Sequence, residues 1–188
     1  MLKQPFENNI IQTVDAGNWP NTVRNLQSTG MIDRIAAALL KSPALIGEIT
    51  LYLRMPEQTV AWRTAWIIDK IAEKNTTLIT PFHAVFVDAL KVTPHNGVRR
   101  HLLKILGNSP TQACEDGELI DKCFEWIVHP KIPVAVKANA MELIYRLCCI
   151  YPELATELTL VIEDGFLTGT AGYRCKGKNI LKLLQKQL

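Results

Sequence analysis

Residues 43–66 read PALIGEITLYLRMPEQTVAWRTAW. Leu45, Ile46, Ile49 and Leu53 fall on one face at helical spacing, so the first half is an amphipathic helix. Pro56 follows. Proline has no amide hydrogen to donate and disfavours helix in the residue before it, so it stops one helix and frees the chain to start another. Val60, Ala61, Trp62 and Arg63 open that second helix, and Trp66, Ile67 and Ile71 continue its apolar face. The stretch is a helical hairpin, and a single hairpin cannot bury its apolar face alone.

The same arrangement recurs at a fixed period. Arg63, Arg100, Lys137 and Arg174 are 37 positions apart. Pro56, Pro94 and Pro130 keep that period to within one residue. On the first helices, Leu45, Ile49 and Leu53 are matched by Phe82, Phe86 and Leu90, then by Leu119, Cys123 and Ile127. The fourth unit is degraded, with its apolar face at Leu154, Leu158, Val161 and Ile162 and its break at Gly165, Gly169 and Gly172. Leu102, Leu103 and Leu106 carry the second helix of one unit. Ala140, Met141, Ile144 and Leu147 carry the next, and Ile180, Leu181 and Leu184 the last. A period of this length in an all-helical chain is the mark of stacked repeats.

This order resembles HEAT-type repeats of the armadillo class, in which a proline or polar turn separates two helices and a Val-x-x-Arg or Val-Arg segment opens the second. Val60 to Arg63, Val98 to Arg100 and Val134 to Lys137 carry the resemblance, which covers residues 43–188. It implies an all-α, right-handed α-solenoid of about four stacked hairpins. The expected organisation is one domain over 1–188: a helical cap at 1–42, then hairpins at 43–75, 76–110, 111–150 and 151–188. Residues 8–15, 20–27 and 31–40 read as the short helices of the cap, with Asn21, or Thr29 with Asp33, as start signals.

Composition narrows the class. No apolar run approaches the roughly 18 residues of a membrane span, and the start, MLKQPFENNIIQ, predicts no secretory leader. Five cysteines, with no CxxC pair and with Cys148 beside Cys149, predict free thiols in a reducing compartment and no zinc site. A cytoplasmic location follows as the expectation. The net charge of +3 is uneven: residues 58–110 carry +4, residues 111–169 carry −6 and residues 170–188 carry +5. A uniformly basic nucleic-acid binder reads differently.

No HExxH, P-loop or serine elbow is present. The reading is a non-catalytic module without cofactor or metal that binds another macromolecule, a protein first, on its concave face. Trp62, Arg63, Trp66, Arg99, Arg100 and Lys137 are the candidate contacts. Tryptophan beside arginine favours binding surfaces, and equivalent basic positions in stacked repeats align. Thr170, Arg174 and Lys178, at the start of the last helix, are candidates for a small anion because free amides and cations converge there. A nucleic-acid alternative comes from resemblance to HEAT-like alkylpurine DNA glycosylases, which use aromatic side chains, a carboxylate and arginines. Trp62, Trp66, Asp69 and Arg100 supply those types, although no family motif matches residue by residue and the third unit is acidic.

Overall fold

The computed structural model describes residues 18–26, 28–110 and 114–186. The helix expected at 8–15 lies outside them. Among the described residues there are ten α-helices and no strand. In chain order they are α1 (Trp19–Arg24), α2 (Thr29–Lys41), α3 (Ala44–Thr50), α4 (Gln58–Lys74) and α5 (His83–Val92), then α6 (Asn96–Gly107), α7 (Gly117–Val128), α8 (Val134–Cys148), α9 (Leu154–Asp164) and α10 (Ala171–Leu184). A 3-10 turn, Leu51–Arg54, extends α3, and two more, Thr76–Leu78 and Thr80–Phe82, lead into α5.

The breaks lie where proline demands them. Met55, before Pro56, and Thr93, before Pro94, are both extended, as the ring of the following proline requires. Pro133 is extended itself and stands as the cap of α8. The start signals of the cap helices are each displaced. Asn18 occupies the N-cap position of α1, with Pro20 in its first turn, and Ser28 that of α2, neither with a capping side-chain bond. Asp116 caps α7, its carboxylate accepting from the Leu119 amide at 2.9 Å, which accounts for part of the acidic cluster at 115–121.

By its internal contacts the chain divides into two compact units, 1–102 and 103–188. In the first unit, α1 and α2 pack on α4. Trp19 is fully buried there, and its indole Nε1 donates to the buried Thr64 hydroxyl at 2.9 Å. Ile46, Ile49, Ile67, Ile68, Ile71, Phe86 and Leu90 complete the core. Each such side chain contributes roughly 1.5–3 kcal/mol by leaving water. In the second unit, α8 packs on α7, α9 and α10, and α9 also touches α7 and α10. Leu119, Cys123, Ile127, Ala140, Met141, Ile144 and Leu147 are buried, as are Leu158, Ile162, Ile180 and Leu184. In the degraded repeat Leu160 is 62% exposed, so its apolar face is the shifted one that begins at Leu154.

Gly177 sits inside α10 because nothing larger fits. A Cβ there would lie 2.7 Å from Ile162 Cγ2 and 2.7 Å from Phe166 Cε1. The roughly 1 kcal/mol that glycine costs a helix is offset by close approach of α9 to α10.

Candidate functional site

Trp62 and Trp66 are one turn apart on α4, so their rings share a face. They stack with centroids 5.9 Å apart and planes 20° from parallel. Two histidines extend the stack. His95, in the turn before α6, lies 5.8 Å from Trp62, and His101, on α6, lies 5.9 Å from Trp66. The result is a column of four rings, His95–Trp62–Trp66–His101, whose two indoles are half-buried.

The turn that delivers His95 is tightly built. The Gly97 amide donates to His95 Nδ1 at 3.0 Å, and the His95 amide donates to the Thr93 hydroxyl at 3.2 Å. Arg99 donates to Asn96 Oδ1 at 3.0 Å and to the Thr93 carbonyl at 2.9 Å. Gly97 is there for room: a Cβ would come within 2.7 Å of Trp62 Nε1 and 2.8 Å of His95 Cε1. Burial, and then the nearby Arg99 charge, lower the His95 pKa, so the ring facing Trp62 is neutral near pH 7.

At the other end of the column, His101 is 3% exposed and Asp69 4%. His101 Nδ1 and Asp69 Oδ2 are 2.8 Å apart, and His101 Nε2 lies 3.1 Å from an Arg100 guanidinium nitrogen. A guanidinium only donates. Nε2 is therefore the acceptor, the ring proton sits on Nδ1, and Asp69 receives it. An aspartate holding a histidine in this way is the orienting half of a hydrolytic relay, but here Nε2 faces an arginine instead of a hydroxyl or thiol. The pair positions α4 against α6 and fixes the ring under Trp66.

The basic column does not act as a set. Arg63 donates to the carbonyls of Val23 and Arg24 at 2.7 and 2.6 Å, closing the C-terminus of α1. Arg100 holds His101 and is exposed. Lys137 stands 5.6 Å from the centre of the Tyr173 ring. Arg174 is exposed at the surface of α10. One position in the repeat has four different occupations. The carbonyl-capping job reappears off the column, where Arg146 donates to the Gly107 carbonyl.

Residues 19–184 match the HEAT repeat domain family. The chain belongs to this family. No curated protein matches the sequence of this HEAT repeat protein.

Of the six candidate contacts, Trp66 and Arg100 meet at His101 and Trp62 stacks on Trp66, while Arg63 and Arg99 bond to backbone carbonyls of the first unit. Lys137 belongs to the second unit. Of the candidate anion residues, Thr170 and Arg174 are joined by a backbone bond, the Arg174 amide donating to the Thr170 carbonyl at 3.0 Å. Thr170 lines a cavity in the second unit, and its hydroxyl accepts from the Tyr173 amide at 3.3 Å. Arg174 and Lys178 are exposed and are not among the residues lining it. Asp69, the carboxylate of the glycosylase-like reading, is buried against His101 and presents no open carboxylate. The histidines of the ring column escape sequence reasoning because they stand beside no ligand motif. The one signal is that His101 directly follows the doubled Arg99–Arg100. Among the described residues no group of three or more His, Cys, Asp or Glu could hold a metal ion.

Proposed function

We propose that this HEAT repeat protein is a non-catalytic module that binds another protein through the surface formed by Trp62, Trp66 and Arg100. The observation that carries the reading is a half-buried tryptophan pair in a four-ring stack, with Arg100, an exposed residue, bonded to the histidine at one end. Rigid aromatic surface beside arginine is the composition of interface hot spots, because an indole gives contact area at low entropic cost and a guanidinium gives a planar fork for a carboxylate. The fitting partner segment offers a planar or apolar side chain to the indoles and a carboxylate to Arg100. A location in the cytoplasm accords with five free cysteines, and among the described residues no helix is long and apolar enough to cross a membrane.

The test compares immobilised wild-type protein with Trp66→Ala, Arg100→Glu and the remote control Lys182→Ala, by quantitative mass spectrometry of captured proteins. The reading expects a partner retained by wild type and Lys182→Ala and lost from the other two. Capture of the same set by all four proteins refutes it. The nucleic-acid alternative is tested separately by binding to duplex DNA at low salt, where phosphate contacts are strongest.

A further inference from the structure

The second unit contains a cavity of about 240 Å³ bordered by α7, α8, α9, α10 and the turns between them. Val128, Ile132, Val134 and Val161 give it an apolar wall. Two of these, Val128 and Val134, are 57% and 38% exposed, so the apolar lining reaches solvent. Tyr173 also lines it. Its hydroxyl donates to the Val161 carbonyl at 3.2 Å. Gly169 leaves space for the ring, since a Cβ there would lie 2.7 Å from Tyr173 Cδ1.

Two charged groups of opposite sign also line this cavity, Lys137 and Asp164. Neither side chain makes a hydrogen bond or ion pair with another described residue, and they do not pair with each other. The other polar side chains of α10 in the lining are already engaged: Thr170 caps the helix, and Tyr173 bonds to Val161. Lys137 is half-buried, with only the Tyr173 ring beside its ammonium. Burial lowers its pKa, which means that water serves it poorly and that an incoming anion would restore what burial removed.

We propose that the cavity binds a small zwitterion with an apolar side chain, of the α-amino-acid class. The ligand carboxylate meets Lys137, its ammonium meets Asp164, and its side chain lies on the valine and isoleucine wall. The volume fits that class. Pockets for drug-sized ligands run to roughly 300–1,000 Å³, and this one is smaller. A few convergent polar groups in an otherwise apolar lining are what orient a ligand of this size. The separated charges select against a simple anion, which would face Asp164, and against a simple amine, which would face Lys137.

The experiment is calorimetric titration of the full chain with L-leucine, 4-methylpentanoate, which lacks the ammonium, and 3-methylbutylamine, which lacks the carboxylate. Saturable binding of L-leucine is expected, with both analogues weaker by about tenfold or more, a loss of about 1.4 kcal/mol or more. Lys137→Gln and Asp164→Asn should each weaken L-leucine binding by a similar factor. Both side chains are at least partly exposed, and a circular-dichroism melt confirms that the variants fold. The proposal is overturned by absence of saturable binding up to about 10 mM, weaker than the millimolar range of the affinity scale. It is equally overturned if 4-methylpentanoate binds as well as L-leucine, or if both variants bind L-leucine as wild type does. The site is independent of the Trp62–Trp66 surface, so partner capture by Lys137→Gln should be unchanged whichever way the titration falls.

Discussion

His101 Nδ1 lies 2.8 Å from Asp69 Oδ2, with both side chains buried, and this bond ties α6 to α4 beneath the tryptophan pair. The imidazole proton is one donor to that buried carboxylate. Replacing His101 with leucine leaves the carboxylate without this donor. The expected loss is about 2–4 kcal/mol, because a buried carboxylate that loses a hydrogen-bond donor is destabilised by more than the bond's net contribution. Asp69→Asn keeps an acceptor at the same place and should cost less. Urea midpoints of the two variants check the order, and a milder effect from His101→Leu than from Asp69→Asn contradicts it.

Gly97→Ala separates helix propensity from packing. On an open helix surface the change would stabilise by about 1 kcal/mol. At Gly97 the new methyl meets the Trp62 indole, and forced overpacking typically costs about 1–3 kcal/mol. We expect net destabilisation together with an altered near-ultraviolet signal from the displaced tryptophan. A gain in melting temperature with an unchanged spectrum would show that the ring column yields without cost.

Arg63 and Arg174 hold equivalent places in the repeat and should respond differently. Arg63→Ala removes two short bonds to the carbonyls that end α1, an expected loss of about 1–3 kcal/mol, in the range for hydrogen bonds from a charged donor. Arg174→Ala, at an exposed position, should stay within about 0.5 kcal/mol of wild type. Thermal denaturation of both variants in one buffer makes the comparison.

The cysteines should divide in a thiol-reactivity assay. Cys149 and Cys175 are exposed, whereas Cys114, Cys123 and Cys148 are buried. Burial pushes the thiols of Cys114 and Cys148 up to about 11 and that of Cys123 higher still. A thiol reacts as its thiolate, so two should react quickly with an aromatic disulfide reagent at pH 8. The other three should react only on unfolding in denaturant.

Acid should destabilise the first unit through its histidines. Burial lowers the pKa of His83, and burial together with Arg99 lowers that of His95, below the ordinary value near 6.5. A lowered folded-state pKa means that the unfolded chain takes up these protons first. The stability is therefore fully present above about 6.5, the usual histidine value, falls as pH drops below it, and levels off under the folded values. Melting temperatures between pH 7.5 and 5 measure the slope, and it should be shallower in His83→Gln. A slope of the same steepness in that variant removes His83 from the account.

The hairpins are legible in the chain because a helix needs only local information. Apolar residues at helical spacing, a proline at three of the four breaks and a repeat of fixed length are all read directly along the sequence. Phe86 and Leu90 are buried as their period predicts, and so are Leu119, Cys123 and Ile127. Trp19 was not anticipated as a core residue. It reaches Thr64 across 45 positions, and nothing local to either residue announces the pairing.

The candidate sites were legible only as residue types. Trp62 and Trp66 stand out in sequence, but the imidazoles that stack on them do not, since His95 and His101 reach the column only through tertiary contacts. Arg63, Arg100, Lys137 and Arg174 share a period and differ in occupation, because the period sets where a side chain starts on its helix and the neighbouring elements set what it meets. The sequence by itself determined an all-helical HEAT repeat chain, since helix periodicity and proline breaks are properties of the backbone and its nearest residues. Only the tertiary structure decided that Asp69 is locked to His101, that Arg63 closes another helix, and that Lys137 and Asp164 line one cavity. Those are contacts between segments dozens of residues apart, and their formation depends on how the helices pack.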